Sequence, residues 1–262
     1  MSPIKGFLVD RDGVLTITNG EISWEHNLGR HRLTKYVQLS NRGKFPKIGI
    51  CTGREYGSAE SILFDIGLPD WWSIIESGVF LFNRRTKQLL KNPELTNDVK
   101  EVFDEMSQRR IPPILKKYPN DLFFYPGNQI CIAIELQEGA RLTIEQAYQE
   151  IISRIQDLIQ TGLATIHHSS IAVDISPAKI DKASGVKFLC EVEGIDPAEL
   201  FGIGDSPGDF PMFNAVGQIG CPSNATSKCK EVVKEKGGII SEKSYAAGVV
   251  DIFYRATGVR FA

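Results

Sequence analysis

Two aspartates, Asp10 and Asp12, close the apolar run Phe7-Leu8-Val9 with a single arginine between them. A charge at the end of a buried strand is costly unless something nearby offsets it, so partners are expected further along the chain. Thr52 follows the apolar run "KIGIC", Lys182 stands at the predicted start of a helix, and Asp205 and Asp209 follow "LFGIG". These residue types converge on one chemistry. Several carboxylates in a small space repel one another unless a cation holds them, and hard oxygen ligands suit Mg²⁺. A carboxylate can attack phosphorus to form an acyl-phosphate. A second carboxyl two residues on can protonate the leaving oxygen and later deprotonate water. A hydroxyl, a lysine and backbone N–H groups can hold the transferred oxygens, and Gly13 and Gly53 let backbone come close to them. Lys182 adds a separate hint: the macrodipole disfavours a cation at a helix N-terminus, and a broken local rule tends to mark function.

The elements that must position these residues alternate strand and helix. "GFLV", "PKIGIC" and "WSIIES" read as three buried strands, with helical spacing over 31–41 and again in "EYGSAESILFDIG", closed by Gly67. Such an order predicts a parallel sheet with crossover helices, covered on both faces. Around 80–90 the texture changes: "GVFLFNRRTKQLL" reads as a hairpin, followed by a helix carrying Val99, Val102, Phe103 and Met106. Next come the alternating "QICIAIEL", an amphipathic helix through Ile144, Tyr148, Ile151, Ile155 and Leu158, and an extended "ATIHHSSIAVDIS". The first texture then returns through "KASGVKFLCEVEG", "LFGIGD", "QIGC" and two closing helices. The expected architecture is α/β: a doubly wound core at 1–83 and 176–262, split by an inserted α/β domain at 84–175. Ligands of open parallel sheets bind beyond the carboxyl ends of the strands, where the acids, Thr52 and Asp205 fall.

Bulk properties narrow the classes. At 262 residues the chain has room for one large domain or two modest ones, and its net charge of −2 argues against a general nucleic-acid binder. No apolar stretch of membrane-spanning length is present, and the start is too short in apolar residues for a signal peptide. Five widely spaced cysteines without a C-x-x-C pair suggest reduced thiols and a cytoplasmic location rather than a disulfide or metal framework.

Four ordered motifs, "DRDGVL" (10–15), "ICTGR" (50–54), "IDKASG" (180–185) and "GDSPGDFPMF" (204–213), resemble those of the haloacid dehalogenase-like hydrolase superfamily. Their order is more specific than any one of them. An insertion between the Thr and Lys motifs, together with "TGR", "IIESG" and "NAT" at 224–226, is similar to the Cof-type and sucrose-phosphatase-like branch with its type IIB cap. The resemblance implies a Rossmann-like core, a cap domain, and a Mg²⁺-dependent phosphatase acting on a sugar phosphate or phosphorylated sugar-acid. It makes Asp10 the nucleophile and Asp12 the general acid/base, with the Asp12 backbone carbonyl also on Mg²⁺. Asp10, Asp205 and Asp209 would complete the metal set; Thr52, Gly53 and Lys182 would bind the phosphoryl group, with Arg54 and Asn224 near it. Arg11 occupies a position that is commonly leucine or isoleucine in this branch, Ser77 replaces the usual asparagine, and Cys221-Pro222-Ser223 replaces a glycine approach to Asn224. Tyr125 and Asn128 in "FFYPGNQI" are candidate cap contacts.

The alternatives are a phosphomutase or phosphotransferase on the same core, a receiver-like phospho-accepting module, and a silent sugar-phosphate binder. Receiver domains place their acids ahead of both Thr and Lys, whereas Asp205 follows Lys182 here. A calcium loop fails because Val14 and Leu15 stand at its fifth and glycine positions. "GIGDSPG" misplaces the third glycine of a dinucleotide fingerprint. The expected partner is a small phosphorylated molecule, bound by a monomer or homodimer with neither nucleic acid nor membrane.

Overall fold

The computed structural model describes residues 3–17, 23–169 and 171–260. It divides into two compact units, one formed by Met1–Lys91 with Lys182–Ala262 and the other by Asn92–Asp181. The second arm of the hairpin, Gln88–Lys91, falls in the first unit.

The first unit opens with β1 (Gly6–Val9), α1 (Trp24–Asn41), β2 (Lys47–Ile50), α2 (Tyr56–Asp65) and β3 (Trp72–Ile75). The hairpin β4 (Phe80–Asn83) and β5 (Gln88–Lys91) follows. The second unit holds α3 (Asn97–Glu105), a π-turn at Met106–Arg110, α4 (Pro112–Lys117), β6 (Leu122–Phe124), β7 (Ile132–Leu136), α5 (Ile144–Gln160), β8 (Ala164–His168) and β9 (Ala172–Pro177). The chain then returns to the first unit as α6 (Lys182–Glu193), β10 (Leu200–Ile203), α7 (Phe210–Ala215), β11 (Gln218–Cys221), α8 (Ser227–Glu235), β12 (Ile239–Ile240) and α9 (Tyr245–Thr257).

The central sheet is parallel throughout its described pairs and runs β12-β11-β10-β1-β2. Every residue of β1 is buried, and alternation sends successive side chains to opposite faces. Phe7 meets Phe45 and Phe253, and Tyr36 of α1 packs against both rings, tilted over Phe45 and edge-on to Phe253. Leu8 instead joins the cluster of Val186, Leu189, Met212, Phe213, Cys229 and Val233. Helices therefore cover both faces, which explains why the strands read as unbroken apolar runs. Fully burying a Phe or Leu side chain contributes roughly 1.5–3 kcal/mol.

"WSIIES" does not extend this sheet as the third parallel strand expected. β3 pairs antiparallel with β4 in a separate sheet of order β3-β4-β5. One parallel bridge, Cys51 to Ile74, ties it to the end of β2. The turn Glu76-Ser77-Gly78 reverses the chain so that β4 pairs along one edge of β3, while the other edge meets the end of β2, where Thr52 N–H donates to Ile74 O at 2.9 Å. Trp71 and Trp72 are buried ahead of the hairpin and both donate their indole N–H to Glu193, each at 2.8 Å.

In the second unit an antiparallel sheet runs β6-β7-β9-β8. The extended segment "ATIHHSSIAVDIS" is in fact two strands, β8 and β9, folded on each other. Helix α5 begins with a capping box between Thr143 and Gln146. Its stripe of Ala147, Ile151, Ile155 and Leu158 is buried, as are Ile132, Ile134, Val173 and Ile175 of the sheet.

Candidate active site

Strand register brings the chemistry together. Val9 lies level with Ile203 on one side and Ile50 on the other. The pairing continues one step past the strand ends, with Asp10 N–H donating to Ile203 O at 2.8 Å and Cys51 N–H to Val9 O at 3.0 Å. Asp10, Thr52 and Asp205 thus leave the sheet at the same edge. The chain runs from β1 outward to β2 and later from β10 outward to β11 and β12, so β1 and β10 flank the switch point where such sheets bind ligands.

Lys182 is the first residue of α6, and its side chain is only 10% exposed. Its Nζ donates to Asp10 Oδ1 at 2.8 Å and to Asp209 Oδ1 at 2.7 Å. Helix α6 reaches this position because Gly185 carries no side chain: a Cβ there would stand 2.6 Å from Ile74 and 2.9 Å from Gly78. Asp209 is fully buried, and its second oxygen accepts the backbone N–H groups of Asp205 and Ser206 at 2.9 and 3.2 Å. Carboxylate oxygens of Asp10, Asp205 and Asp209 all lie within 4.8 Å of one another.

This crowding shows in the acidities. Burial, and then repulsion by Asp209, push the Asp10 carboxyl up to about 7 against the pull of Lys182. Burial and Asp209 likewise push Asp205 up to about 6. Burial alone would lower Lys182, but Asp10 and Asp209 overcome it and hold the ammonium above its ordinary range. A buried acidic cluster of hard oxygen donors that resists carrying its full charge fits a small divalent cation such as Mg²⁺.

The side chain of Asp12 engages two guanidinium groups. Its two oxygens meet Arg11 Nη1 at 2.5 Å and Arg54 Nε at 2.9 Å. Thr52 is buried and its Oγ1 accepts the Arg54 N–H at 3.1 Å. The Thr52-Gly53-Arg54 loop is braced from β3: Ser77 N–H donates to Thr52 O at 3.0 Å and Glu76 N–H to Arg54 O at 2.9 Å. Glu76 and Ser77 adopt φ of 44° and 54° to do so, a left-handed conformation that costs non-glycine residues about 1–2 kcal/mol each. Nothing in "IIESG" or in the departure at Ser77 signals this brace, which depends on contacts between distant segments.

Asn224 ties the Gly13 turn to the start of α9. Its Nδ2 donates to Gly13 O at 2.7 Å, and its Oδ1 accepts the Tyr245 N–H at 2.7 Å. Gly13 has φ +76°, and a Cβ there would lie 2.2 Å from Asp205 Oδ2. In the second unit, Tyr125 N–H donates to Ala133 O at 3.0 Å. Asn128 lines a cavity of about 260 Å³ with Phe103, Phe124 and Gln129.

Residues 117–253, just over half of the chain, match the haloacid dehalogenase-like hydrolase family. The chain belongs to that family. A phosphoglycolate phosphatase of Methanopyrus kandleri is 30% identical over 99 residues, covering 36% of this chain and 43% of that protein. One from Sulfolobus acidocaldarius is 40% identical over 77 residues, 28% of this chain and 34% of its own. The chain therefore spans less than half the length of these relatives. Over nearly its whole length it shares its fold with a haloacid dehalogenase-like hydrolase from Bacteroides thetaiotaomicron, at a TM-score of 0.68 and 18% identity, covering 96% of this chain and 99% of that one. The sucrose-phosphatase of Synechocystis, solved with sucrose and phosphate, gives a TM-score of 0.66 at 18% identity, covering 97% and 98%.

Proposed function

We propose that this chain is a Mg²⁺-dependent phosphatase that hydrolyses a small phosphomonoester through an aspartyl-phosphate. The observation that carries the proposal is the Asp10 carboxylate held at a strand end by buried Lys182, with Asp205 and Asp209 within 4.8 Å. Matches to archaeal phosphoglycolate phosphatases support the reaction class. The inserted unit at Asn92–Asp181 acts as the cap that reads the organic part of the substrate.

Asp10 and Asp205, with the Asp12 backbone carbonyl, would hold the cation; Asp209, both of whose oxygens accept hydrogen bonds, fastens the Asp205 loop and Lys182 behind them. When bound, the cation neutralises the crowded carboxylates and the phosphoryl charge. An Asp10 oxygen forms a bond to phosphorus as the ester P–O bond breaks, and Asp12 gives its proton to the leaving oxygen. Water then attacks phosphorus, Asp12 takes its proton, and the Asp10–phosphorus bond breaks. Thr52, the Gly53 backbone and Lys182 hold phosphoryl oxygens, and Lys182 keeps the Asp10 side chain aimed.

A phosphate-release screen over small esters, with and without Mg²⁺, tests this reading. Release that needs Mg²⁺ and disappears in Asp10→Asn is the expected result. Absence of release from every ester overturns it, and conversion of a sugar phosphate to its isomer without free phosphate points to a mutase.

A further inference from the structure

The left-handed turn at Glu76 and Ser77 carries a hydroxyl to the loop it braces. Ser77 N–H holds Thr52 O at 3.0 Å, which sets the serine beside the segment that follows β2. A Cβ at Gly53 would stand 3.2 Å from Ser77 Oγ, and no other segment among the described residues comes within 4 Å of that point. Gly53 itself is exposed. The space beside its α-carbon is therefore open, with a hydroxyl at its border. The same turn also packs on α6, the helix that begins with Lys182: a Cβ at Gly185 would lie 2.9 Å from Gly78 Cα. Ser77 thus belongs to a turn that touches both elements assigned above to the phosphoryl group.

Three donors in this neighbourhood lack protein acceptors. The Gly53 N–H makes no hydrogen bond among the described residues. Thr52 Oγ1 accepts the Arg54 N–H at 3.1 Å, which leaves its own proton available to a ligand. Ser77 is half-buried, and its Oγ has no hydrogen-bond partner among the described residues. Partly buried donors without protein partners are completed by water or by a ligand, and several of them side by side suit an anion. Left-handed backbone at non-glycine residues, here φ of 44° and 54°, persists where the surroundings over-determine it, and it clusters at ligand sites.

We propose that Ser77 is a further phosphoryl-binding residue, its Oγ–H donating to a phosphoryl oxygen alongside the Thr52 hydroxyl and the Gly53 N–H. The proposal rests on the phosphatase reading and adds a donor from outside the four ordered motifs. The hydroxyl keeps its proton throughout. It offsets charge on the phosphoryl oxygens as the group passes from the ester to Asp10 and from Asp10 to water.

Two variants separate the hydroxyl from the turn. Ser77→Ala removes the hydroxyl and keeps the left-handed strain, whereas Ser77→Gly removes both. Activity should therefore fall alike in the two, although their stabilities differ. In Mg²⁺, kcat/KM for p-nitrophenyl phosphate and for the best ester of the screen should drop by about tenfold to a hundredfold, the cost of one hydrogen bond to a charged group. Competitive inhibition by inorganic phosphate should weaken by about threefold or more in both, since the same oxygens are held. Urea denaturation confirms that each variant folds, and Ser77→Gly decides the matter if Ser77→Ala does not fold. Folded variants within about twofold of the parent in kcat/KM overturn the proposal. So does unchanged phosphate inhibition, or a loss in Ser77→Ala that Ser77→Gly restores, and each of these leaves the phosphatase reading standing. Failure of the parent chain to release phosphate from any ester overturns both.

Discussion

Removing the ammonium of Lys182 while keeping its bulk isolates the electrostatics of the site. In Lys182→Met, Asp10 and Asp209 lose the partner that meets them at 2.8 and 2.7 Å, with side chains 10% and 0% exposed. Breaking a buried ion pair in this way typically destabilises by about 3–5 kcal/mol. The size of the loss should depend on pH. Asp10 already holds its proton up to about 7 in the folded chain, against an ordinary 3.8. A raised carboxyl penalises the folded state only when ionised, so the penalty is absent below the ordinary value and grows as pH rises through the folded value. Without the ammonium the folded value moves higher still, and protonated Asp10 relieves the variant at acid pH. Urea denaturation in chelator should therefore show a loss of about 3–5 kcal/mol at pH 8 and a clearly smaller one at pH 5. Equal losses at the two pH values, or less than about 1 kcal/mol at pH 8, would refute the ion-pair account.

Three other positions give independent checks. Gly13→Ala places a methyl 2.2 Å from Asp205 Oδ2 at φ +76°; a loss of about 2–4 kcal/mol together with phosphatase activity is expected, and a fully active, stable variant would show that Gly13 does not seat Asp205. Ser77→Gly relieves the left-handed turn at φ 54°, so the denaturation midpoint should rise by the equivalent of about 0.5–1 kcal/mol, whereas a fall would mean the turn is not strained. The buried Tyr36 phenol donates to Val259 O at 2.6 Å, and burial pushes it up to about 12. Its contribution to stability is complete below about 10 and is lost as pH climbs towards 12; absorbance titration should show a late tyrosinate phase that Tyr36→Phe removes.

Much of the core was legible in the chain itself. A strand buried on both faces must be apolar along its whole length, so "GFLV" and "LFGI" declared themselves, and acids at their ends stood out as locally unfavourable. Lys182 was readable for a similar reason: a cation at a helix start conflicts with the local dipole, and Asp10 and Asp209 offset that conflict. The same logic found the strand in "WSIIES" but not its main partner, since an apolar strand looks alike in a parallel sheet and in a buried hairpin: β3 keeps one parallel bridge to the end of β2 and pairs antiparallel with β4.

Sequence by itself determined which residues carry charge at the strand ends and that they need partners, because burial energetics depend on residue type and period. Tertiary structure alone decided how those charges are shared out. Lys182 bridges Asp10 and Asp209, while Asp12 pairs with Arg11 and Arg54. Asn224 links Gly13 to Tyr245 through its amide. Pairings of this kind depend on distance and direction across elements far apart in the chain, and register and helix placement set both.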